Sequence, residues 1–137
     1  MGELREIKDL KFLLREARNV RNVDAITLIG LKISGVSNLD CGACEFGTCK
    51  EMLEHGKVQK EFLGPRCMIK YFDLGIAVGS AAAKAKDLCI DSCILYSAGA
   101  AACYFKMIDA DVAMGLPLSV TGKNIFFYRK SKRKVKE

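Results

Sequence analysis

The chain has 137 residues, 50% of them hydrophobic and 28% charged, which fits one domain able to bury a core without disulfide staples. The formal net charge is +6, but the terminal run RKSKRKVKE carries six of the 22 Lys and Arg and a single acid, so the body is close to neutral and nucleic-acid binding is not expected. The weakly polar stretches LGIAVGSAAA and ILYSAGAAACYF fall short of the roughly 20 residues of a spanning helix, which argues against membrane insertion.

The opening twenty residues are charged and helix-patterned, unlike a secretory leader, and the cysteine count of seven is odd. Together these place the expected compartment as the reducing cytoplasm. Within that opening, Leu4, Ile7, Leu10, Leu13, Leu14 and Ala17 recur at three- and four-residue spacing, the pattern of an amphipathic helix. Asn19 to Asp24 reads as a turn, and AITLIGL, Ala25 to Leu31, as a buried strand followed by the loop KISGVSNLD.

Helical turns are expected over Thr48 to Glu54, stopped by Gly56. Gly64-Pro65 then punctuates the chain before a long Ala/Gly-rich helix from about Arg66 to Leu88. A second small-residue helix is expected over about Ile94 to Met107. DVAMGLPLSV, Asp111 to Val120, is a strand that Pro117 either ends or confines to a sheet edge, and NIFFY is a candidate third strand. The fold class is therefore α+β, a small sheet packed by Ala/Gly-rich helices beside a Cys-rich loop.

That loop, CGACEFGTC, holds Cys41, Cys44 and Cys49, and Cys67 follows alone after seventeen residues. Four thiolates in such an arrangement supply soft, anionic ligands, so an iron–sulfur cubane is the first reading of the set Cys41, Cys44, Cys49 and Cys67. Zinc is the rival, although structural zinc sites more often pair two short knuckles, and a set of ordinary thiols is the third reading. Gly42 and Gly47 permit backbone turns that aim N–H groups inward. Cys49 and Cys67, each at an expected helix start, would bring two helix N-termini to an anionic group. Lys50, Lys57, Lys60, Arg66 and Lys70 read either as charge compensation or as a solvated surface.

NLDCGACEFGTC followed by a lone cysteine resembles the single-cluster domain of the B subunit of Rnf-type electron-transport complexes and of corrinoid iron–sulfur proteins. CGACEFGTC, GPRC, DLGIAVGSAA and GLPLSVTGKNIFF together resemble a family of uncharacterised ferredoxin-domain proteins of bacteria and archaea, over about Glu16 to Arg129. The resemblance implies a ferredoxin-type domain with one [4Fe-4S] cluster on the four cysteines; length and composition place a single domain over residues 1–128 and a basic, flexible tail over 129–137. It supplies no substrate. Glu45 stands where that pattern has a glycine, which would favour a lower potential, and SCILYS, Ser92 to Ser97, stands where it has Asn-Arg. Relatives also carry a longer N-terminal helical region.

Among the other residues, Cys89, Cys93 and Cys103 have apolar neighbours and are expected to pack in the core, with a turn at Asp91-Ser92. His55 reads as a cation at a helix end. LSVTGKN contains phosphate-binding residue types, but Asn124 stands where a P-loop needs Ser or Thr, so a plain turn is expected. Asp73, Gly75 and Ala77 in DLGIAVGSAAAKAKDL, followed by DADVAMGLPLS, give a distant likeness to flavin-dependent nitroreductases, a fold-level analogy.

Three functional expectations follow. The leading one is a [4Fe-4S] protein exchanging single electrons with a redox protein partner. The second is a cluster-assisted flavin reductase, binding FMN between the subunits of a homodimer, and the third a zinc-stabilised binding module. No acid/base pair or nucleophilic arrangement stands out, so no catalytic residue is assigned from the sequence.

Overall fold

The computed structural model describes residues 11–32 and 34–128. The expected helical positions Leu4 to Leu10 and the tail 129–137 lie outside the described residues. The elements in chain order are α1 (Lys11–Arg21), β1 (Ala25–Leu31), α2 (Cys49–Glu54), β2 (Val58–Gln59), β3 (Leu63–Gly64), α3 (Met68–Asp87), β4 (Asp91–Ser92), α4 (Tyr96–Tyr104) and β5 (Val112–Ser119). The class is α+β. A three-stranded antiparallel sheet has the order β1-β5-β4, and β2 and β3 form a separate small hairpin.

The last strand is the central one. β5 pairs along its length with β1, from Ala25 opposite Leu118 to Leu31 opposite Val112, and at its far end with β4. Alternation along β5 separates two faces. Val112 and Met114 pack with Leu74 and Val78 of α3, joined by Ile29, Leu31, Phe62 and Tyr71. On the opposite face α4 lies against the strand backbone: a Cβ on Gly99 would stand 1.9 Å from Ala113 O, and one on Gly115 would stand 2.6 Å from Ala98 Cβ. The small residues of α4 are thus a close-approach surface. α1 packs behind α4, where the Ser97 hydroxyl donates to the Glu16 carboxylate.

β1 occupies an edge and alternates between exposed and half-buried, so it is not the buried strand its apolar run suggested. Pro117 sits in the central strand, not at an edge. Its missing N–H faces the β4 side, in register with Cys93, where the ladder lapses between Ser92 opposite Leu118 and the bridge of Leu95 to Gly115. Asp91-Ser92 is strand, not turn. NIFFY is a turn, not a strand: the Asn124 side-chain oxygen accepts from Phe126 N at 3.0 Å and Phe127 N at 3.2 Å, a local competitor to sheet pairing.

α3 and α4 end the same way. After α3, Cys89 takes φ +56, with Ile90 N donating to Ala85 O and Cys89 N to Lys86 O, each at 2.9 Å. After α4, Lys106 takes φ +54, with Met107 N donating to Ala102 O and Lys106 N to Cys103 O. These are Schellman closures, in which the left-handed position is usually glycine.

Candidate metal centre

The cysteine loop is built from left-handed backbone. Asn38, Asp40, Gly42 and Glu45 have φ of 52°, 44°, 69° and 66°. Glu45 therefore occupies the conformation that the missing glycine would adopt without strain. Gly47 does not take positive φ, contrary to expectation. Its role is proximity, since its N–H donates to Glu51 Oε2 at 2.9 Å and a Cβ there would crowd that oxygen at 3.1 Å.

The loop is closed at both ends. Asp40 Oδ1 accepts from Cys49 N at 2.6 Å, tying the residue before the first cysteine to the third. Thr48 caps α2 through a complete capping box with Glu51, which satisfies N–H groups that a helix start leaves open. α2 is anchored by Met52, buried at 3% exposure. His55 caps its end, its ring edge-on to Phe46 at 5.1 Å.

The fourth cysteine comes to this loop through α3. Met68 N donates to Cys44 Sγ at 3.1 Å, and Cys44 Sγ lies 3.7 Å from Arg66 O. Cys41, Cys44, Cys49 and Cys67 all line one hollow, walled by Leu39, Phe46, Met52 and Ile69. Cys41 is exposed, Cys44 and Cys49 are half-buried, and Cys67 is buried. The hollow thus runs from solvent to a closed end.

Cys67 is the N-cap of α3, with no side-chain cap bond. Burial pushes its thiol up, but the N–H and hydroxyl of Ser37 and the N–H groups of Lys70 and Ile69 outweigh that and hold it below the usual thiol range. Its sulfur lies 3.8 Å from Ser37 Oγ. Donors at an opening helix turn favour the thiolate, the form that ligates metals. Ser37 and Asp40 were not singled out from sequence. Asp40 carried a usable signal, an Asx residue directly before a Cys-rich turn, whereas Ser37 carried none.

Four thiols around one hollow, graded from exposed to buried, form a donor set that suits a soft metal or an iron–sulfur group. Among the described residues, no three His, Cys, Asp or Glu side chains converge at single-ion distance. None of Lys50, Lys57, Lys60, Arg66 and Lys70 lines the hollow. Lys50 pairs with Glu54 and Lys70 with Asp73, each at 3.8 Å, as surface charges do.

The remaining candidates separate from this site. Cys89 is exposed, not core, because the Schellman closure turns it outward. Cys93 and Cys103 are half-buried, and burial pushes both thiols up. Leu118 and Ser119 of LSVTGKN end β5, and the rest is the plain turn expected, with Thr121 Oγ1 donating to Lys123 O at 2.7 Å and Lys123 over the Tyr128 ring. Among the described residues, no helix is long and apolar enough to cross a membrane.

Fold and site together describe a small α+β protein in which four cysteines line one hollow. The chain belongs to the family described as "Uncharacterized protein containing a ferredoxin domain (DUF2148)", whose model matches residues 63–129, a span holding Cys67 but not the 41–49 loop. An uncharacterized protein of Archaeoglobus fulgidus is 43% identical over 133 residues, covering 97% of this chain and 72% of its own length. No solved structure matches the chain. A ferredoxin domain points, in general terms, to an iron–sulfur or electron-transfer role.

Proposed function

We propose that the chain holds one [4Fe-4S] cluster through Cys41, Cys44, Cys49 and Cys67 and exchanges single electrons with a redox protein partner. The observation that carries this reading is the gathering of all four thiols on one hollow, although Cys67 comes from a different element. When bound, such a cluster supplies reversible one-electron redox chemistry. Cys67 and Cys44 would hold it from the α3 side, and Cys41 and Cys49 from the loop and the start of α2. Thiols spread around a hollow suit a group with several metal atoms better than one zinc ion, which draws four sulfurs to about 2.3 Å of a single point. Exposed Cys41 marks the side where a partner could approach closely.

The protein's own contribution is electrostatic. N–H groups at the start of α3 and the Ser37 donors stabilise negative charge on sulfur, and burial of Cys67 limits water at the closed end. The test is anaerobic purification followed by iron, sulfide and zinc quantification and an absorption spectrum. A broad shoulder near ~400 nm with about four irons per chain supports the reading. Stoichiometric zinc in a colourless protein, or failure to take up iron and sulfide on reconstitution, overturns it.

A further inference from the structure

Strand β1 is an edge of its sheet and carries none of the usual protection of an edge. AITLIGL, Ala25 to Leu31, has no charge and no proline, and its pairing with β5 runs unbroken over all 7 residues. The nearest charges, Asp24 and Lys32, stand one residue beyond each end. Ala25, Thr27 and Gly30 are exposed.

The ladder fixes which backbone groups face outward. Gly115 exchanges hydrogen bonds with Leu95, at 2.9 Å and 2.8 Å, on the side of β5 away from β1. Leu28, opposite Gly115, therefore has no ladder bond with it and turns its own N–H and C=O to the free edge. Alternation turns those of Ile26 and Gly30 the same way. Among the described residues, no hydrogen bond reaches these three residues from the open side.

These groups are complementary to themselves. In an antiparallel pair with Leu28 opposite Leu28 of a second copy, Ile26 meets Gly30 of the copy on either side, so every outward N–H finds an outward C=O. The same register sets Asp24 beside Lys32 of the copy, twice. Parallel pairing would set like charges side by side, and a slip of two residues would part both charge pairs. Each charge also has a contact in its own chain: the Asp24 carboxylate accepts from Val120 N at 2.9 Å, and Lys32 pairs with Asp109. The Lys32–Asp109 pair is exposed, of the kind that contributes little, so Lys32 exchanges partners at small cost.

We infer that two copies of this chain pair through β1, antiparallel and centred on Leu28, to form one continuous sheet. The two-fold axis uses up the open edge of both copies, so the assembly closes at two. Strand pairing of this length makes a small interface, and the dimer is expected to dissociate on dilution. The inference goes beyond the cluster reading and does not depend on it.

The test is sedimentation velocity of the full chain, purified anaerobically, over a concentration series, with a cluster-free sample in parallel. The mass should rise from one chain to two in both samples, and exchange of the Leu28 amide should slow as it does. Leu28→Pro removes an N–H that faces the open edge, where proline is tolerated, and should abolish the dimer while the thermal midpoint shows a folded chain. Lys32→Glu and Asp24→Lys, which serve if Leu28→Pro fails to fold, should each weaken self-association by about tenfold, since two attractive pairs become repulsive. Asp24→Lys also deprives Val120 N of its acceptor, so its thermal midpoint is read beside its mass. An equimolar mixture of these two variants restores both charge pairs and should recover the dimer, and Lys60→Glu should leave it unchanged. A single-chain mass at every concentration overturns the inference, as do a dimer that persists in folded Leu28→Pro, a mixture that associates no better than its components, or open-ended assembly. Loss of iron with the dimer intact counts against the cluster reading and leaves this one standing.

Discussion

The main-chain N–H of Met68 is bonded to the sulfur of Cys44 at 3.1 Å, across 24 positions of sequence. The residue after the last cysteine is thus clasped by the middle cysteine of the loop. Replacing Cys44 by Ala removes both a proposed ligand and the acceptor of that N–H, and Cys67→Ala removes the buried ligand. Each variant should hold well under half of the wild-type iron after reconstitution. Cys89→Ala, at an exposed helix end, should hold the full complement. Equal iron in Cys67→Ala and wild type would remove Cys67 from the ligand set.

The loop backbone separates two neighbouring positions. Gly42→Ala forces a Cβ into φ +69, and left-handed backbone costs an L-residue about 1–2 kcal/mol. Glu45 already bears that strain at φ +66, so Glu45→Gly should gain up to about 1 kcal/mol, reduced by the extra freedom of glycine in the unfolded chain. Urea unfolding of the two variants should move in opposite directions. In cluster-loaded protein, Glu45→Gly should also raise the midpoint potential, because a carboxylate beside the loop is removed.

Much of this was legible in the sequence where local chemistry decides. The bounds of β1 were readable from a β-branched run, α2 from the turns over Thr48 to Glu54 before Gly56, and α3 from Gly64-Pro65 and its small-residue composition. What failed was set by distant partners. Pro117 reads as an edge residue, yet it lies mid-sheet because the opposing segment at Cys93 leaves a gap in its ladder. Apolar neighbours place Cys89 in the core, but the closure of α3 needs a left-handed residue there and turns it outward. At the site, the four cysteines were readable by spacing. Ser37, which reaches Cys67 across 30 positions, had no local signature.

Thr48→Ala tests how far α2 depends on its cap. The Thr48 side chain accepts from Glu51 N at 3.2 Å, and Glu51 Oε2 returns to Thr48 N at 3.2 Å and Gly47 N at 2.9 Å. Losing the cap should cost about 1 kcal/mol. Because Cys49 is the first residue of that helix, iron should also leave faster under chelator. Thr48→Ser should restore both quantities.

Gly99→Ala is expected to be among the most damaging single-methyl changes in the chain. The new Cβ would meet strand backbone, Ala113 O at 1.9 Å, which no rotamer change can relieve, so at least 1–3 kcal/mol of overpacking is expected, roughly the usual range. Gly75→Ala and Gly79→Ala on the open side of α3 meet nothing within 4 Å and should each stabilise by about 0.5–1 kcal/mol through helix propensity. Comparable thermal midpoints for Gly99→Ala and wild type would contradict the close approach of α4 to β5.

Cys93 provides a pH test of the region where the sheet ladder lapses. Burial raises its thiol first, the Glu16 carboxylate raises it further, and Arg15 opposes them. The native state therefore holds this proton more tightly than the unfolded chain. Its contribution to stability is complete below the unfolded thiol's pKa, about 8.5, and is lost as the pH climbs through the higher folded value. Wild type should lose urea resistance as the pH climbs above about 8.5, and Cys93→Ala should lose less over the same climb, whatever its offset from the missing sulfur. Cys103, also raised by burial and by Asp111, adds a second loss of the same sign, so Cys93→Ala/Cys103→Ala should be flatter still. Parallel curves for wild type and Cys93→Ala would show that burial does not set the ionisation of Cys93.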